Sequence, residues 1–165
     1  MCGFAGYLDP RLEDGEDAMH DRVAAMAERL HHRGPDDSGT WADPAAGLAL
    51  GFRRLSIIDL SAAGHQPMVS ADGRFVMTYN GEVYNFGTLR RDLEAAGRHF
   101  RGKSDTEVVL EAIAQWGLEP ALERFVGMFA LALWDREQRS LTLVRDRLGI
   151  KPLYYGLSGG VFLFA

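Results

Sequence analysis

A chain of 165 residues, 47% hydrophobic and 25% charged, has the size and balance of one compact globular domain with its own core. Its net charge of −5 opposes a nucleic-acid partner, because neutralising phosphates requires a basic surface. No apolar run approaches the ~20 residues that cross a bilayer, so no membrane partner is expected either. The N-terminus lacks a basic stretch followed by an apolar one, so no signal peptide is legible and the cytoplasm is the expected location.

Taken in chain order, residues 1–8 are apolar and glycine-containing and predict a buried strand. Residues 17–32 follow a helical period, with Met19, Val23, Met26, Ala27 and Leu30 on one face. The segment "HHRGPDDSG" reads as loop. Short strands are expected around residues 40–41, 47–52, 55–59 and 74–79. Asn85 is placed to cap a helix running to about Ala96, which Gly97 would end. Ser104-x-x-Glu107 has the form of a capping box opening a helix through Trp116, with Val109, Ile113 and Trp116 on its buried side. Residues 119–125 suggest another short helix. Residues 128–135 and 141–146 predict a hairpin joined by the polar "REQR", and residues 154–155 and 161–164 one more strand pair.

The order is strands, then helices together, then strands, which favours an α+β domain of antiparallel sheets packed with helices over a doubly wound parallel sheet. No internal repeat, low-complexity tract or linker is visible. The closing "VFLFA" is an apolar strand with no polar tail, as expected of a piece of a longer chain.

Two phosphate-binding patterns need testing. Gly97, four residues, and Gly102-Lys103-Ser104 match G-x-x-x-x-G-K-S. A phosphate loop needs a strand delivering the chain to a glycine-rich turn whose amides face the phosphates. Here a helix precedes Gly97, and Arg98, His99, Phe100 and Arg101 resemble a short edge strand. The expected reading is a helix stop followed by a helix start, although "FALALWD" could pass for a magnesium-binding strand ending at Asp135. Ser158-Gly159-Gly160 is similar to the start of an ATP-pyrophosphatase loop but lacks the acid and serine that should follow, and reads as a hairpin turn.

The only cysteine is Cys2, followed by Gly3. Methionine aminopeptidases generally remove Met before a small residue, which would leave a thiol and an α-amine on one residue. An α-amine has an unperturbed pKa of about 7.7–8.0 and can serve as general base at neutral pH. That is the N-terminal-nucleophile arrangement. A packed cysteine in the first strand is the alternative, and position alone does not separate the two.

The ordered set "MCGFAG", "HRGPDDSG", "FRRLSIIDLSAAGHQPM", "YNGEVYN", "GKSDTEVVL", "GMFALALWD" and "RDRLGIKPLYY" closely resembles the glutaminase domain of glutamine-dependent asparagine synthetases, which are class II glutamine amidotransferases. The resemblance covers residues 2–165. Glucosamine-6-phosphate synthase and glutamine phosphoribosyl amidotransferase share the leading Cys, but their middle motifs differ. The resemblance implies a four-layer α/β/β/α sandwich of antiparallel sheets, the N-terminal nucleophile hydrolase fold. It implies that Cys2 attacks the side-chain amide of L-glutamine, releasing ammonia, and that water then frees glutamate. Asn80 and the Gly81 N–H would bind the oxyanion; by pattern alone Asn80-Gly81 also suits a hairpin turn.

The resemblance further assigns Arg54 to the α-carboxylate of glutamine, a group that its planar fork can grip with two bonds. Arg53 beside it should point to the opposite face of an extended segment. Asp105 would hold the α-ammonium with help from Glu82, and Leu55, Ser56, Ile57 and Ile58 would complete the glutamine site. His65 and Gln66 sit in a loop expected to close over substrate, and residues 32–36 form a structural loop beside the site. No metal or cofactor is implied in this domain. ATP and magnesium belong to a C-terminal synthetase domain, the implied partner, that makes asparagine from aspartate. The resemblance leaves room for another carboxylate acceptor and for a homodimer.

Overall fold

The computed structural model describes residues 2–11 and 14–165. Among these residues nine strands form two antiparallel sheets. The first contains β1 (Gly3–Leu8), β2 (Asp37–Asp43), β3 (Leu48–Arg54), β8 (Tyr155–Ser158) and β9 (Val161–Phe164), in the order β2-β3-β1-β9-β8. The second contains β4 (Met68–Val69), β5 (Phe75–Val83), β6 (Gly127–Asp135) and β7 (Ser140–Arg145), in that order. Helix α1 (Glu16–Glu28) covers the outside of the first sheet. Helix α3 (Asp105–Trp116) packs on the outer face of the second, with α2 (Phe86–Ala95) and α4 (Leu118–Arg124) against it.

Side-chain alternation along each strand builds three interfaces from this order. Phe4, Leu48, Leu50 and Phe52 of the first sheet meet Val76, Ala130, Ala132 and Trp134 of the second. The intervening residues Tyr7 and Ala49 turn outward against Met19 and Val23 of α1. On the other side Met77, Tyr79, Leu131 and Leu133 turn outward against Leu89, Leu93, Val109 and Ile113 of the helices. Fully burying such side chains stabilises the fold by about 1.5–3 kcal/mol each. The result is the expected four-layer α/β/β/α sandwich, of the N-terminal nucleophile hydrolase type.

Most boundaries agree with the sequence reading within a residue or two; the differences have physical causes. Residues 55–59 form no strand: β3 pairs with β2 only as far as Arg54, opposite Asp37. Their polar groups turn to side chains instead, Ser56 N–H donating to Asp36 at 2.8 Å. Residues 98–101 are not an edge strand either. Asn80-Gly81 is no turn but lies within β5, opposite Ala130 and Phe129. Gly81 is required there because any Cβ would strike the Met128 carbonyl and Phe129. Helix α1 ends at Glu28, and His31–Arg33 form a separate short turn of 3₁₀ helix. Asn85 stands at the N-cap of α2 without capping it; its amide bridges to Arg124 O at 2.9 Å and Val126 N at 3.0 Å.

Other local signals hold. Gly97, at φ 86°, ends α2 in a Schellman motif, with its own N–H on Glu94 O and that of Arg98 on Leu93 O. Gly159 and Gly160, both at positive φ, make the tight turn between β8 and β9. Half of the capping box forms: Ser104 Oγ accepts from Glu107 N at 3.4 Å. The Glu107 carboxylate turns instead to the N–H groups of Arg101 and Gly102, both at 2.9 Å.

Candidate active site

The alternation that builds the core also aims the site. Arg54 continues the inward series Leu48, Leu50, Phe52, while Arg53 continues the outward one and bonds Gly34 O at 3.0 Å and Glu28 at 3.2 Å. Only Arg54 of the pair enters the space between the layers, as the strand geometry requires. Cys2 precedes Phe4 on the inward face of β1, and Asn80 follows Val76 and Thr78 on the inward face of β5. The open end of the sandwich therefore collects three polar side chains from three strands.

They line one cavity of about 190 Å³ together with Leu55, Ile57, Ile58, Gly81, Glu82 and Asp105. Its size lies below the roughly 300–1,000 Å³ of sites for drug-sized ligands and suits a single amino acid. Ser56 is the one sequence-predicted site residue that the cavity does not take in. It lines a neighbouring surface hollow with Asp36, Ser61 and His65.

Cys2 lies against the first residue past β3. The Leu55 N–H donates to Cys2 Sγ at 3.3 Å, and the thiol is 3.6 Å from Leu55 O. The "HHRGPDD" loop supports this corner: Arg33 Nε donates to Cys2 O at 3.2 Å. The guanidinium of Arg54 is held from behind by loop carbonyls, donating to Ser61 O at 2.9 Å and to Asp59 O. A guanidinium has five N–H donors, more than these two carbonyls use. Asp59 ties the same loop to the α3 entrance, accepting from Lys103 N at 2.6 Å and from both the N–H and hydroxyl of Ser61. These donors hold its carboxyl down at about 2.

Across the cavity stands Asp105, the first residue of α3. Its Oδ2 accepts from Tyr79 Oη at 2.8 Å and Val83 N at 3.0 Å. Burial pushes the Asp105 carboxyl above the usual carboxylate range, against the pull of the Val83 and Tyr79 donors. Asp105 is thus a buried acid at the cavity wall whose charged form carries a desolvation cost.

Sequence reasoning passed over several lining residues: Asp59, Gly64, Tyr79, Ser104, Thr106, Met128 and Lys151. Tyr79, Ser104 and Thr106 adjoin Asn80 and Asp105 in the chain; nothing local marks the other four, which reach the cavity through tertiary packing. Gln66, placed by the sequence on a loop expected to close over substrate, lines the cavity and is buried. Its amide donates to Tyr79 O at 3.2 Å and accepts from Tyr79 N at 2.6 Å. His65 binds Asp37 at 2.8 Å at the half-exposed rim.

The phosphate-loop pattern is explained by the same geometry. The amides of Arg101 and Gly102 are taken by Glu107 and that of Lys103 by Asp59. Carboxylates already sit where phosphate oxygens would, and Asp135 is locked by Arg74 at 2.6 Å rather than open to magnesium. Among the described residues no group of three or more His, Cys, Asp or Glu could hold a metal ion, and no helix is long and apolar enough to cross a membrane.

Comparison with known proteins agrees with this architecture. A family model described as a glutamine amidotransferase domain matches residues 1–165. An asparagine synthetase [glutamine-hydrolyzing] of Bacillus subtilis is 39% identical over 99% of this chain and 26% of its own length. One from Sandersonia aurantiaca is 38% identical over 99% of this chain and 30% of its length. A Gibberella zeae protein named amidase chry2 is 34% identical over 100% of this chain and 25% of its length. The chain thus spans about a quarter to a third of the length of these relatives. On a match that runs the whole length of the chain, over a sandwich that brings Cys2, Arg54, Asn80, Gly81 and Asp105 to one cavity, the chain belongs to the glutamine amidotransferase domain family.

Proposed function

We propose that this chain hydrolyses L-glutamine to glutamate and ammonia through a Cys2 thioester. The observation that carries the reading is the single cavity shared by a thiol, an amide and a glycine N–H, with a cationic fork and a buried carboxylate beside them. Glutamine offers a matching set: an amide to attack, an α-carboxylate for Arg54 and an α-ammonium for Asp105 and Glu82. Cys2 Sγ bonds to the amide carbon, and its proton passes through the Cys2 α-amine to the departing nitrogen, which leaves as ammonia. Water then adds to the thioester, glutamate departs, and the thiol is restored. Asn80 and the Gly81 N–H bind the oxyanion in both steps. Leu55 N–H, already on Sγ, supports negative charge on sulfur.

This chemistry requires removal of Met1, because an acylated Cys2 nitrogen is no base. Intact mass together with glutamate release tests the reading: a species lacking Met1 should release glutamate, and a Met1-retaining one should not. Release that ignores the state of Cys2 would refute it. Asn80→Ala should cut kcat by about 10²–10³ with a small change in KM, the size seen when one oxyanion donor is lost. Lys103 is exposed and contributes only its backbone N–H, so Lys103→Ala should leave both constants within about twofold of wild type.

The ammonia acceptor belongs to a synthetase domain on a longer chain. The relatives named asparagine synthetases [glutamine-hydrolyzing] support asparagine as the product made with that ammonia; ATP and magnesium would be held by that domain, and no residue of this chain is assigned to either. One relative is named an amidase rather than an asparagine synthetase, and in a second reading the same glutaminase serves a different carboxylate. A cytoplasmic location fits both.

A further inference from the structure

The mechanism above leaves unused a buried chain of polar groups behind the ammonium subsite. Gln66, Tyr79 and Asp105 are 3%, 2% and 4% exposed and come from a loop, β5 and α3. The Gln66 amide grips both backbone groups of Tyr79, and Tyr79 Oη donates to Asp105 Oδ2. Tyr79 is on the outward face of β5, one residue before the inward-facing Asn80. One strand thereby presents the oxyanion side chain on one face and the partner of the ammonium-binding acid on the other.

We propose that Tyr79 is a positioning residue for glutamine: its hydroxyl, fixed through Gln66, holds the Asp105 carboxylate charged and oriented to receive the substrate's α-ammonium. The inference rests on the glutaminase reading. The chemistry is one-directional, because burial and the adjoining carboxylate push the Tyr79 phenol well above its ordinary value, which keeps it a proton donor throughout the working range. Asp105 faces Tyr79, Glu82 and the Val83 N–H from β5 and the Thr106 N–H from its own helix. Arg54 from β3, Asp59 from the loop, Lys151 and Cys2 line the same cavity. Tyr79 Oη donates directly to the Asp105 carboxylate, at 2.8 Å.

The sign follows. Asp105 must be charged to pair with an ammonium, so KM for glutamine climbs as pH falls through its pKa. Removing a donor to the charged form raises that pKa and moves the climb to higher pH. Tyr79→Phe deletes only the hydroxyl. Glutamate release should be measured from the ordinary carboxylate range, about pH 4, up to about pH 8 for both proteins. At the upper end Tyr79→Phe should raise KM about tenfold with kcat within about twofold, the loss of one hydrogen bond to a charged group. On acidification its KM should begin to climb at a higher pH than that of wild type.

The des-amino substrate 4-carbamoylbutanoate supplies a readout that general loosening would not move. Wild type should prefer glutamine strongly, and Tyr79→Phe should narrow the ratio of kcat/KM values about tenfold. An unchanged KM profile, or an unchanged ratio, overturns the proposal. A wild type that releases no glutamate overturns the glutaminase reading itself, and this inference with it. Should Tyr79→Phe melt below the assay temperature, 3-fluorotyrosine at position 79 gives the opposite expectation. Its more acidic hydroxyl is a stronger donor, so the climb in KM should move to lower pH; no movement, or movement upward, refutes the role.

Discussion

Cys2→Ala should reduce glutamate release at least about 10⁴-fold, to the background of the assay, with the fold and glutamine binding intact. Nucleophile and base act as one unit, and removing one member of such a unit forfeits most of the acceleration. The thiol contributes little to stability, because Cys2 is only partly buried, its Sγ meets the N–H and carbonyl of Leu55, and it packs only at the margin of the inter-sheet core. The thermal midpoint should therefore stay close to wild type, and calorimetric titration with glutamine should still saturate. A Cys2→Ala protein that hydrolyses glutamine at even a hundredth of the wild-type rate would remove the thioester from the mechanism. Cys2→Ser is the complementary variant. Its hydroxyl is a far weaker nucleophile at neutral pH, so it should be nearly as inactive while keeping the α-amine in place.

Arg54→Ala should raise KM for glutamine about 100-fold while changing kcat only severalfold. Two hydrogen bonds to a charged group, at about 1.5–3 kcal/mol each, exceed the 2.7 kcal/mol or so that a hundredfold represents. The group it anchors is remote from the reacting amide, so the loss falls on ground-state and transition-state binding alike. Arg54 also holds the carbonyls of Ser61 and Asp59, and a small fall in thermal midpoint should accompany the kinetic effect. Arg54→Lys separates the two roles. It restores the charge but not the fork, so it should recover only a minor part of the affinity. If Arg54→Ala binds glutamine as tightly as wild type, the carboxylate anchor lies elsewhere.

The Asp105 environment carries a cost that the same reading explains. Its carboxyl is raised by burial, so the charged form opposes folding at neutral pH. The protonated form adds stability that is fully present below the ordinary carboxylate range and lost as pH rises through the folded value. An ammonium ligand offsets that loss, and glutamine should stabilise the protein more at neutral pH than under acid conditions.

How much of this was legible beforehand differs by kind of feature. Strand pairs and helix limits were legible where one local rule decides them, as at Gly97, at Gly159-Gly160 and in the β6–β7 hairpin. They were misjudged where a partner elsewhere decides. Residues 55–59 have the apolar content of a strand but no neighbour to pair with beyond Arg54. Asn80-Gly81 has the chemistry of a turn, yet β6 runs alongside and keeps it extended through Val83. Asn85 was free to cap α2 and instead bonds a segment about forty residues away.

The sequence by itself determined the chemistry on offer: a thiol next to the N-terminus, an amide-glycine pair, an arginine whose side is set by strand alternation, and an acid at a helix start. Each depends on residue type and on a period of two or 3.6, which are local properties. Only the tertiary structure decided that these groups share a cavity, that Ser56 is turned out of it, and that Gln66 and Tyr79 stand behind Asp105. The reason is geometric: β1, β3, β5 and α3 meet at one end of the sandwich only after two sheets pack face to face, and no local periodicity encodes that juxtaposition.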